Sequence, residues 1–179
     1  MLELVVSGRE FFDESKNEFI QVKPTRLLLE HSLISLSKWE SKWEKPFLSS
    51  EKTISETIDY IRCMTLTQNV DPSVYFALSE ENIKEVVAYI EKPMTATKIK
   101  NRSKSVRSGE IITAEIIYYW MVTLNIPFEC QKWHLNKLLT LVEVTSIKNQ
   151  PQKKMSKGEI LRSNRELNAA RRAKYKTKG

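Results

Sequence analysis

Two histidines (His31, His134), two cysteines (Cys63, Cys130) and two glutamates one helical turn apart (Glu40, Glu44) are the side chains most suited to acid–base, nucleophilic or metal chemistry. Their spacing supports none of these. Neither histidine lies in an H-E-x-x-H or H-x-E…C-x-x-C pattern, so no metal-ligand set is expected. There is no G-x-S-x-G, no P-loop and no G-x-G-x-x-G, and four glycines leave little from which to build a phosphate cradle. The two cysteines stand far apart with no partner motif and read as reduced, buried thiols. Lys38, Lys42 and Lys45 surround Glu40 and Glu44, which predicts a solvated face, and both histidines are expected to be structural. The expectation is a protein without enzymatic activity, cofactor or metal.

The chemistry that remains is charge. From position 148 to 179 there are eleven Lys and Arg against two acids, whereas the whole chain has a net charge of +7. Residues 1–92 hold eleven basic and sixteen acidic side chains, and residues 93–179 hold eighteen and six. A near-neutral body with a basic end predicts docking to an acidic partner. Read as a helix from Ser156 to about Lys174, this end places Arg162, Arg165 and Arg172 in one arc. Ile160, Leu167 and Ala170 fall in another, with Arg171 nearer the apolar side. Such a helix suits nucleic-acid phosphate, an acidic protein helix or an anionic membrane surface. Only Tyr175 interleaves the charges, so a base-stacking platform is not expected, and without Trp or Phe on the apolar arc neither is membrane binding. Arg162, Arg165, Arg171, Arg172 and Lys174 are the candidate partner-binding cations.

A second basic run (Lys98, Lys100, Arg102, Lys104, Arg107) with no acid among it reads as an exposed loop over 95–109. Trp39 and Trp43 share a helical stripe with Leu36, which marks a core or an interface, and they complete the candidate docking set. Trp120 is expected in the core and Trp133 half-exposed.

Elements to position these residues are legible. Leu2–Val6 reads as a strand, 10–22 as a hairpin about the Asp13–Asn17 cluster, and 25–31 as an extension of the sheet. From Ser32 the pattern turns helical, and Pro46 stops it. Thr53-Ile54-Ser55-Glu56 is a capping box with Ile54, Ile58 and Ile61 behind it. Asp71-Pro72 opens a short helix, and Ser79 caps another that carries Ile83, Val86, Val87 and Ile90. Residues 110–124 are apolar almost all round and predict a central buried helix; Asn125–Pro127 ends it. A further amphipathic helix is expected over 131–147, with Leu135, Leu138, Leu139 and Val142 inward. The whole is mainly α: a helical bundle (32–148) with a small N-terminal β-hairpin or sheet (1–31) and a basic C-terminal helix (149–179). Its most apolar window is interrupted by Thr113, Glu115 and Thr123, short of the roughly 20 apolar residues a bilayer span needs. With no secretory h-region at the N-terminus, an intracellular soluble protein is expected.

Several stretches form a recognisable set: Leu29–Leu33, Ser37–Trp43 with Pro46–Leu48, Lys52-Thr53, Glu56-Thr57 and Asp59–Ile61 before Cys63–Leu66, Met94–Thr97, Ile126–Glu129 before Trp133–Leu139, and Leu167–Arg172 with Thr177–Gly179. Together they resemble small proteins of tailed-phage and prophage structural clusters, of the tail assembly chaperone kind. That resemblance implies a mainly helical, non-enzymatic protein in the cytoplasm of the bacterial host, binding tape measure or tail-tube protein during virion morphogenesis. A homo-oligomer is compatible with it. The alternatives are a head or tail subunit carried in the virion, or an accessory protein that grips nucleic acid through the basic helix.

Overall fold

The structure, a computed structural model, describes residues 1–13, 17–99, 110–149 and 157–175. It is mainly α with small β elements, in the order β1 (Leu2–Val6), β2 (Arg9–Asp13), β3 (Glu18–Val22), β4 (Thr25–Leu29), α1 (Leu33–Trp43), α2 (Ile54–Met64), a 3₁₀ helix (Pro72–Ala77), α3 (Glu80–Glu91), α4 (Ala114–Thr123), a 3₁₀ turn (Phe128–Lys132), α5 (Leu135–Asn149) and α6 (Lys157–Tyr175). Met1–Ile147 form one compact unit and Lys148–Gly179 a second.

The four strands make an antiparallel ribbon of two two-stranded sheets. β1 pairs with β4 (Val6 opposite Thr25) and β2 with β3 (Arg9 opposite Val22), so a single register runs through both pairs. Between them the ladder breaks at Ser7-Gly8 and Lys23-Pro24, where Pro24 has no N–H to give. Gly8 is required by close approach: a Cβ there would lie 2.9 Å from Pro24 Cδ and 3.1 Å from the Val22 carbonyl oxygen. Gly8→Ala is expected to lower stability by about 2 kcal/mol through this overlap, read as a shifted urea midpoint at unchanged slope. Alternation sends Leu4, Val6, Leu27 and Leu29 into the core. The free edge of β4 is closed by the segment after α2, with Leu66 N–H donating to the Leu28 carbonyl and Leu28 N–H to Thr67 Oγ1. On the β1 side the Asn82 side chain of α3 donates to the Val5 carbonyl, so both edges of the inner ribbon are covered.

Local chemistry starts most helices. Ser32 with Ser35, Thr53 with Glu56, and Ser79 with Asn82 form reciprocal capping boxes, and Asp71 caps the Pro72 helix. Glu44, in the left-handed region, ends α1 before Pro46 is reached.

Several expectations need correction. Ile54 is largely exposed, because the inward face of α2 is Glu56, Tyr60, Ile61 and Met64. α4 begins at Ala114 and buries only Ala114, Ile117 and Met121; Tyr119 and Val122 face outward and Trp120 is half-buried against the core. Residues 131–132 belong to the 3₁₀ turn before α5. Val87 of α3 is exposed, and Tyr89 takes the inward place instead.

Candidate functional site

Glu40 departs furthest from expectation. It sits inside the protein, not on a solvated face. One carboxylate oxygen accepts from Phe47 N–H at 2.7 Å and the other from Ala114 N–H at 2.7 Å. Thr113, at the N-cap of α4, gives no side-chain cap, so Glu40 supplies one from α1 and sets a negative charge at the positive end of α4. Glu44, one turn on, is exposed.

The histidines meet in the interior. His31 Nδ1 and the Tyr60 hydroxyl share a hydrogen bond at 2.6 Å, and the His31 and His134 rings stack edge to face at 5.1 Å. His134 Nε2 lies 3.2 Å from the Tyr89 carbonyl oxygen, and the Tyr89 hydroxyl donates to Glu30. Backbone joins the same places, with Leu135 N–H donating to the His31 carbonyl. This network ties the end of the ribbon to α2, α3 and the start of α5. No buried side-chain nitrogen or oxygen among the described residues lacks a partner. Nor do any three His, Cys, Asp or Glu side chains there converge as metal ligands. Both thiols are pushed up by burial, which makes them poor nucleophiles.

Burial, and then the nearby His134, pull the His31 imidazole down to about 3, and burial also lowers His134. Above the ordinary imidazole value both states are neutral, and the stabilisation is complete. Below it the unfolded chain takes up a proton that the folded one resists. Stability is therefore expected to fall by roughly 1 kcal/mol per pH unit between about pH 6 and pH 4 from His31 alone. Glu56 adds a later loss, since the Lys45 ammonium and the Thr53 N–H hold its carboxyl down at about 2. Urea midpoints measured across this range test the point, and a flat profile would contradict it.

The tryptophans of the candidate docking set separate. Trp39 is fully buried, and its indole N–H donates to the Glu56 carbonyl, so it belongs to the core and not to a docking surface. Trp43 is half-buried against the core, its indole N–H donating to Asp59 at 3.0 Å while Lys42 pairs with the other Asp59 oxygen. It borders a shallow cleft of about 210 Å³ between α1, α2 and the Pro72–Ala77 helix. Nothing in the sequence marked this cleft, because residues of α2 and the Pro72–Ala77 helix, among them Ile58, Arg62, Tyr75 and Phe76, complete it, and no local pattern joins them to Trp43. Trp133 is 38% exposed, with the Lys137 ammonium 4.3 Å from its ring centre.

The second unit carries the basic candidates. α6 runs for 19 residues, about 28 Å at the helical rise, and ends on Arg172 and Lys174 in its last turn, which suits the helix dipole. Arg162, Arg165, Arg171, Arg172 and Lys174 are all exposed, as are Ile160, Leu161 and Leu167. Among the described residues none of these cations forms an ion pair; Lys174 stacks over Tyr175 at 5.7 Å. Of the basic loop, Lys98 is exposed, while Lys100, Arg102, Lys104 and Arg107 lie outside the described residues, as do Lys153, Lys154, Lys176 and Lys178.

Fold and surface together define a mainly helical protein with a buried polar clasp and a separate basic helix. No helix among the described residues is long and apolar enough to cross a membrane. Comparison with known proteins returned no matching family model, curated protein or solved structure.

Proposed function

We propose that this protein is a non-enzymatic assembly factor that docks on other proteins, acting as a tail assembly chaperone does on tape measure or tail-tube protein during phage morphogenesis in the bacterial cytoplasm. The observation that carries the docking part is α6, with five exposed cations and no acidic partner among the described residues. The phage assignment rests on the sequence resemblance alone. A solvated helix with a thin apolar arc and an arginine arc fits repeated, weak, reversible contacts with acidic amphipathic helices. Several such contacts on one long partner add through avidity.

The test is coexpression with an acidic, coiled-coil-rich segment of a tape measure protein. The reading expects more of that segment in the soluble fraction, and less again when residues 153–179 are deleted. Unchanged solubility would count against it. The same exposed arginines favour one other reading, a grip on nucleic-acid phosphate. That reading expects an affinity falling steeply with salt on duplex or single-stranded DNA, and no shift at low salt removes it.

A further inference from the structure

We infer that the cleft between α1, α2 and the Pro72–Ala77 helix is a second docking site, for a segment of a partner protein that sets a large apolar side chain beside a carboxylate. Trp43, Ile58, Tyr75 and Phe76 give the cleft its apolar part, beside the polar Lys42, Asp59 and Arg62; Phe76 is 69% exposed, with one edge-on contact to the Phe11 ring at 6.4 Å. An aromatic ring held out in this way marks an anchor for association more than a packing residue.

The walls are also fixed in advance. Asp59 holds the Trp43 indole N–H, and the Tyr75 hydroxyl donates to Thr65 Oγ1 at 3.1 Å. Little conformational freedom is therefore lost when the cleft is filled. At about 210 Å³ and open to solvent it is smaller than the usual small-molecule pocket of about 300–1,000 Å³. One side chain of a longer ligand fits that size.

Charge selects the neighbour of that side chain. Both Asp59 oxygens are engaged, one by Lys42 and one by Trp43, so the acid of the cleft is already neutralised. Arg62, nearly one turn further along α2, also lines the cleft, is exposed, and forms no ion pair among the described residues. A planar guanidinium beside an apolar wall matches a carboxylate set next to an aliphatic or aromatic residue. The site deepens the protein-docking reading and rests on it only in that the occupant is a protein segment; it does not involve α6.

A random-peptide display library selected on the full-length protein tests the site. The expected winners pair Leu, Ile, Phe or Trp with an adjacent Asp or Glu, and a synthetic consensus peptide shifts the Trp43 indole N–H resonance. Phe76→Ser and Arg62→Glu, both at exposed positions, should each weaken that peptide by about tenfold. Reselection on Arg62→Glu should favour Lys or Arg beside the apolar residue. Charge reversal on α6 should leave the peptide's affinity unchanged, so a failure of α6 docking and a failure of this site give different results. Winners without the pattern, no winners, or a consensus peptide that binds both variants as it binds the parent would overturn the inference.

Discussion

Glu40→Ala is expected to destabilise the protein by about 4 kcal/mol, the largest effect of any single side chain outside the hydrocarbon core. The carboxylate accepts two backbone N–H groups, from Phe47 and Ala114, each at 2.7 Å. Removing it leaves both donors inside the protein without a partner, and each buried orphan costs about 1–3 kcal/mol. The charge at the start of α4 goes with it, as does the packing of the side chain's stem. Glu40→Gln keeps one good acceptor and should lose about half as much. The check is a urea titration of the three proteins by circular dichroism at neutral pH. If Glu40→Ala falls within about 0.5 kcal/mol of the parent, as ordinary surface substitutions do, the long-range cap is not what holds α4 in place.

Reversing the α6 arginines is the second large effect, and it acts on binding, not on folding. With Arg162, Arg165, Arg171 and Arg172 all changed to Glu, affinity for an acidic coiled-coil partner is expected to fall by at least about 100-fold. Single exposed ion pairs contribute only about 0.2–1 kcal/mol. Four of them turned from attraction to repulsion sum to roughly 3–4 kcal/mol, and every 1.4 kcal/mol is tenfold in affinity. None of the four belongs to the hydrophobic core, so the thermal midpoint of the 1–147 unit should not move. A parallel drop in both quantities would mean that α6 supports the fold. Isothermal titration reads the affinity and a thermal melt the midpoint, and at two salt concentrations the charge-driven contact should weaken as the Debye length shortens.

How much of this was legible follows from where each interaction closes. Thr53, Asp71 and Ser79 announce their helices because a cap and its amide lie two or three residues apart. The start of α4 could not be read in this way. Its cap is Glu40, 74 positions earlier, and apolar residues running back to Ile111 suggested a longer helix. The same distance hid the role of Glu40, since three neighbouring lysines are what a solvated face looks like. Trp39 and Trp43 lie one turn apart and carry equal sequence signals. α2 covers Trp39 and leaves Trp43 at the rim of a cleft, a distinction made by packing alone. The meeting of the two histidines was not legible: they lie more than a hundred residues apart and are brought to 5.1 Å by the ribbon and the start of α5. The basic helix was visible throughout, because net charge and a helical arc need no tertiary context.

The central claim is that the basic helix recognises an acidic protein helix and not a nucleic acid. Its most direct test is a competition on the full-length chain, with an acidic coiled-coil peptide and a DNA duplex of equal net charge each titrated against the other at near-physiological salt. The account predicts that the peptide binds, that the duplex does not displace it, and that the α6 reversal abolishes the signal. Displacement of the peptide by duplex, with an affinity that falls steeply as salt rises, would contradict it.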